Sequence, residues 1–241
     1  GRLTYKVSGT RGTVHYLGFS TKAGGYGSTG GLAPTGFLDS TRLLVGADGR
    51  FEGIVSATPH EGNWLPMTAE TSMLIVRQTF LDRRAERRAE LTLARHPTPT
   101  APKPLEPSIV ATRLANAARF VEGTARVFAD WAAGFAREPN ALPRQDQARY
   151  LAAGGDPSIH YTHGYYRLGP DEALVVTLPR IPRCESWNLQ INNHWMESID
   201  YRYFRAHVNK HTAVYAADGS CTIVIARRAP GRPNWLETAG H

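Results

Sequence analysis

Residues 212–227, TAVYAADGSCTIVIAR, set Asp218-Gly219 between two apolar runs, the second rich in β-branched residues. An Asp-Gly pair accepts the positive φ values of a tight hairpin turn, so the stretch predicts strands over Thr212–Ala216 and Cys221–Arg227. Asp48-Gly49 repeats the device between Arg42–Val45 and Phe51–Ala57. Working outward, Leu3–Ser8 alternates Leu3, Tyr5 and Val7 with Thr4, Lys6 and Ser8, the period-two mark of a half-buried strand. Val14–Phe19, Ser72–Phe80 and Ala89–Arg95 read as further strands, followed later by Tyr161–Leu168, Ala173–Leu178, Ser186–Asn192 and Ile199–Tyr203. Gly24–Gly36 is dominated by glycine and reads as a long loop.

One segment breaks the β pattern. After a Pro-rich linker, His96–Pro107, apolar residues recur every three or four positions as Val110, Leu114, Ala118, Val121, Ala125, Phe128, Trp131 and Phe135. That spacing predicts a helix from about Ser108 to Arg137, with Pro107 suited to its first turn and Pro139 to its stop. No second helix matches its amphipathicity, so Leu114, Val121, Phe128 and Trp131 are expected to be buried together against the β layers. The expected architecture is mainly β: an antiparallel β-sandwich in a single domain over residues 1–241, with a helical insertion at about 107–139.

With 241 residues, of which 41% are hydrophobic and 20% charged, the chain can bury a core without staples. Two cysteines, Cys184 and Cys221, are too few for a disulfide framework. No apolar run is long enough to span a bilayer. The net charge of +7 favours encounter with anions, but its densest cluster, Arg83, Arg84, Arg87 and Arg88, is interleaved with Asp82, Glu86 and Glu90 and carries no alternating aromatics, which argues against nucleic acid. The chain opens on a strand pattern at Gly1 without Met, so sequence is expected upstream. Its compartment, bacterial cytoplasm or cell envelope, is left open.

Several familiar chemistries fail on context. Gly25-Tyr26-Gly27-Ser28-Thr29-Gly30 has dinucleotide-turn spacing, yet Gly31, Pro34 and Gly36 follow where a helix must start. His207 and His211 share a face, but Val208 stands where a zincin needs glutamate, and His160 and His163 point oppositely on a strand. No serine-nucleophile elbow occurs. The sequence therefore assigns no metal and no cofactor.

The richest stretch is 186–211, SWNLQINNHWMESIDYRYFRAHVNKH. Alternation sends Trp187, Leu189 and Ile191 to the core and sets Asn188, Gln190 and Asn192 in a row on the other face. Amides both donate and accept, and with Trp195, Tyr201 and Arg202 nearby they suit a hydroxyl-rich or aromatic ligand. The alternative use of such a row is architectural, a hydrogen-bond network or a solvated sheet face.

At these residues the chain resembles the bacterial family called domain of unknown function 1214. Asn63-Trp64-Leu65-Pro66 with Leu74–Phe80 is similar to its first block; Trp187–Gln190, Asn193–Ser198, Asp200-Tyr201-Arg202 and Pro233–Leu236 are similar to its second. The resemblance implies a jelly-roll-like β-sandwich and no accepted activity, and it implies that relatives run on past His241 through another strand. Three functions follow as expectations. The first is a module that binds a small molecule or carbohydrate through Asn188, Gln190, Asn192, Trp195, Tyr201 and Arg202. The second is an enzyme using Glu197, Asp200, His194 or His207 as proton carriers in the same cleft. The third is a structural envelope or assembly domain; a second copy of the chain is a further expected partner, whichever function holds.

Overall fold

The computed structural model describes residues 3–26, 31–97, 101 and 104–241. The chain divides into two compact units, Gly1–Val127 with Gln145–Tyr161, and Phe128–Arg144 with Thr162–His241.

Unit 1 contains β1 (Thr4–Thr10), β2 (Tyr16–Gly25), β3 (Gly31–Asp39), β4 (Arg50–Ser56), β5 (Trp64–Pro66), β6 (Thr71–Thr79) and β7 (Glu90–His96). They form two sheets, ordered β5-β4-β1-β7 and β3-β2-β6. Val7, Phe51, Val55 and Leu65 of the first sheet share one core with Leu17, Phe19 and Leu38 of the second. Because Leu17–Lys22 is buried without interruption, β2 has a covered face on each side. The long-loop expectation for Gly24–Gly36 is corrected: its described ends are the paired ends of β2 and β3, and residues 27–30 of the dinucleotide-like stretch lie outside the described residues. Part of the expected linker, 98–100 and 102–103, also lies outside them.

Unit 2 contains β8 (Ala173–Leu178), β9 (Asn188–Gln190), β10 (His207–Asn209), β11 (Cys221–Ala226) and β12 (Trp235–Glu237). Here the sheets are β12-β11-β8 and β10-β9, again around one core, which includes Ile223, Leu236, Val208 and Ile191.

The two units repeat one plan. The β2–β3 register pairs Gly18 with Asp39, and the β9–β10 register pairs Asn188 with Asn209, each 170 positions later (18 to 188, 39 to 209). Ser40 N–H donates to Leu17 O (2.8 Å) as Lys210 N–H donates to Trp187 O (2.9 Å). β4 lies antiparallel to β1 and parallel to β5; β11 lies antiparallel to β8 and parallel to β12. These parallel pairs depart from the all-antiparallel expectation. Each is fixed by an asparagine. The Asn63 amide donates to Leu44 O (2.7 Å) and Glu52 O (2.9 Å) while its Oδ1 accepts from Leu44 N–H (2.7 Å). Asn234 does the same with Val214 O (2.8 Å), Thr222 O (3.0 Å) and Val214 N–H (2.8 Å).

These clamps explain a correction. Arg42–Val45 and Thr212–Ala216 are not strands, since a side-chain amide takes the backbone groups that a ladder would use. Tyr161–Leu168 is corrected for a similar reason: Gln147 accepts from Tyr161 N–H (2.8 Å) and Asn140 accepts from Arg167 N–H (2.8 Å). Ile199–Tyr203 is a turn, in which Asp200 O accepts from Tyr203 and Phe204 N–H.

The helix is present as α1 (Pro107–Phe135), and a short helix, α2 (Gln147–Ala152), follows it. The expected common burial of its stripe is corrected. Leu114 and Val121 are 67% and 68% exposed, whereas Phe128, Trp131 and Phe135 form an edge-to-face series that reaches His163 within unit 2.

Candidate functional site

On β9 the core-facing and outward-facing residues separate as alternation requires. Trp187, Leu189 and Ile191 join the core of unit 2, and Asn188 and Gln190 are exposed. Gln190 donates to Asn192 Oδ1 (3.3 Å), which joins two amides of the row. His207 is the register partner of Gln190, so its imidazole shares that face, and the Tyr201 ring meets it edge-on with centroids 6.4 Å apart. Gln190, Asn192, His207 and Tyr201 are thus brought into one group.

The other expected residues lie on the two turns that follow β9. Asn192 bridges to Ser198, and Asn193 closes the turn between them, its Oδ1 accepting from Trp195 and Glu197 N–H (3.0 Å each) and its amide donating to Glu197 Oε2 (2.6 Å). Trp195, 58% exposed at the tip, packs edge-on to His194, whose Nδ1 lies 3.0 Å from the Tyr165 hydroxyl. Arg202 is committed to Asp200 through two guanidinium bonds of 2.9 and 2.7 Å. Those bonds hold the Asp200 carboxyl down at about 2, so at neutral pH it has no proton to give. Of the four expected proton carriers, Asp200 and Glu197 are engaged in holding turns. Two surface concavities lie away from this stretch: one is lined by residues that include Lys6, Arg50, Glu52, Asn63 and His96, the other by Ser108, Ile109, Thr112 and Arg113 on α1.

A polar cluster in unit 1 escaped the sequence reading. Lys22 is fully buried and donates to Gly155 O (2.7 Å), Arg77 donates to Gly154 O (2.6 Å), and the Tyr26 hydroxyl donates to Ala153 O (2.5 Å). Lys22 on β2, Arg77 on β6 and Tyr26 just past β2 therefore collect three successive carbonyls of the turn that follows α2, while the N–H groups of that turn cap the helix's own last carbonyls. The Tyr16 hydroxyl donates to buried Asp156 (2.9 Å) beside them. Burial, with help from the Arg77 charge, lowers Lys22 to about 8, and burial raises Tyr16 above the usual phenol range. A lysine in a strand reads as solvent-facing, so no sequence signal marked this one.

This cluster lays residues 145–161 over the outer face of β2, formed by Gly18, Ser20 and Lys22. A Cβ on Gly18 would come 2.5 Å from the Tyr16 hydroxyl, so a side chain there would displace the ring that bonds Asp156. Asn188 and Gln190 are the register counterparts of Gly18 and Ser20, and in unit 2 they are bare. Among the described residues no group of three or more His, Cys, Asp or Glu is placed to hold a metal, and no helix is long and apolar enough to cross a membrane.

Comparison with known proteins adds the following. Residues 166–241 match the family model described as "Protein of unknown function (DUF1214)". A crystal structure of an uncharacterized protein from Burkholderia cenocepacia is 50% identical with a TM-score of 0.97, matched over 100% of this chain and 67% of that one. The VPA0106 protein from Vibrio parahaemolyticus is 12% identical with a TM-score of 0.48, over 97% of this chain and 77% of that one. No curated protein matches the chain.

Proposed function

Residues 166–241 belong to the DUF1214 family, proteins of unknown function, and from that premise we propose that the outer face of β9 and β10 is a binding surface for a hydroxyl-rich small molecule or carbohydrate. One observation carries the reading: unit 1 covers this face with a segment of its own, and unit 2 leaves it open and lines it with Asn188, Gln190, His207 and Tyr201. Amides offer paired donors and acceptors to vicinal hydroxyls, and an exposed ring offers a flat apolar surface to a sugar's C–H face. Trp195 and Arg202 lie on the turns that flank the group and extend it. The scaffold we assign to it is a jelly-roll-like sandwich, supported by the two sheets that share a core within each unit.

The test is calorimetric titration of the chain with a panel of mono- and oligosaccharides, beside Gln190→Ala and Tyr201→Ala. A ligand that binds here loses about 1 kcal/mol, roughly fivefold in Kd, with Gln190→Ala. A ligand that binds all three proteins equally would place the site elsewhere. Turnover of a bound compound that Glu197→Gln abolishes without loss of binding would replace this reading with the enzymatic one.

A further inference from the structure

Comparing the repeats strand by strand exposes a difference in their edges. In unit 1, β1 is paired on both sides, by β4 and β7, and β2 is paired on both sides, by β3 and β6. Their counterparts in unit 2, β8 and β9, are each paired on one side among the described residues, by β11 and β10. On β9, Trp187 O and Ile191 N–H bond toward β10, so the intervening alternation turns the backbone groups of Asn188 and Gln190 to the unpaired side. The equivalent residues Gly18 and Ser20 face Arg77 and Ile75 of β6.

Two further observations agree. Core residues beside the unpaired edges are less covered than their counterparts: Trp187, Leu189 and Val176 are half-buried where Leu17, Phe19 and Val7 are 0%, 1% and 5% exposed. In the same core cluster, Trp187 Nε1 and the Tyr166 hydroxyl are buried without a hydrogen-bond partner among the described residues. Such donors are uncommon in a finished core.

We infer that the unpaired edges of β8 and β9 are acceptor sites for polypeptide strands, filled in the register that β7 and β6 take on β1 and β2. The occupant is a strand–loop–strand segment with apolar residues at alternate positions, and we take as its source the third of the Burkholderia cenocepacia chain that the comparison leaves unmatched. Main-chain bonds to Asn188, Gln190 and alternate residues of β8 supply affinity, and side chains laid over Trp187, Leu189 and Val176 supply selectivity. A small molecule satisfies neither edge.

The probe is a set of overlapping synthetic peptides spanning that unmatched third, titrated into the 241-residue chain with hydrogen exchange followed at each amide. We expect one contiguous run of peptides to bind and to slow exchange at Asn188 and Gln190. Methylating the alternate peptide nitrogens that face the edge is expected to weaken binding about tenfold for each bond removed, while methylating the intervening ones leaves it unchanged. No binding, or binding that leaves those amides unprotected, overturns the inference. So does protection that rises with protein concentration in the absence of peptide, since the occupant is then a second copy.

Discussion

Asn63 and Asn234 show how one side chain can replace a ladder. Each side chain makes three bonds to the backbone and thereby holds a short parallel strand beside the strand it follows. Asn63 is the more buried, so Asn63→Ala leaves Leu44 N–H, Leu44 O and Glu52 O to be solvated elsewhere. A loss of about 2–3 kcal/mol is expected by urea titration, and less for Asn234→Ala, whose surroundings are wetter. Lys22 makes a different kind of prediction. Its pKa falls from 10.5 to about 8 on folding, so between those values the unfolded chain holds more protons and stability rises with pH. Tyr16 and the buried Cys221 thiol are both raised in the folded state and oppose the trend above their ordinary values of 10.0 and 9.0, which leaves a window from about pH 8 to 9. Lys22 contributes on the order of 1 kcal/mol of rising stability across that window. Lys22→Met is expected to flatten the rise in chemical denaturation at stepped pH; an unchanged slope would assign it to other groups.

Among the elements, β8 and the amide row of β9 were legible because a half-buried strand must alternate, whatever its neighbours are. α1 was legible in extent for the same reason, its period. Its burial was not, because an apolar stripe records which face is suited to packing and leaves open what packs there. The outcome divides the helix. Trp131, within its ring series, is expected to cost about 2 kcal/mol as Trp131→Ala, whereas exposed Leu114→Ala and Val121→Ala should stay within about 0.5 kcal/mol. Thermal melts of the three variants decide it. Equal losses at all three positions would mean that the stripe is covered in solution. The segments misread as strands, such as Arg42–Val45, carry a strand's composition, and the residue that withdraws them from the ladder lies 19 positions on, at Asn63.

At the scale of the whole molecule, the repeat was hidden because a β module constrains pattern far more tightly than identity. Phe51 and Cys221, or Leu17 and Trp187, fill equivalent places with unlike shapes, and the longest shared runs are Ala-Asp-Gly and Asn-Trp-Leu. The offset also slips from 170 to 171 between β11 and β12, comparing Asp48 with Asp218 and Asn63 with Asn234. The shared plan makes the differences informative, since the face and edges that unit 1 closes are the ones unit 2 leaves open. Hydrogen exchange on the free chain, resolved at single amides, tests that claim most directly. Gly18 and Ser20 are expected to exchange orders of magnitude more slowly than their counterparts Asn188 and Gln190, because β6 bonds the first pair and no described strand bonds the second. Equal and strong protection at all four amides would contradict the account.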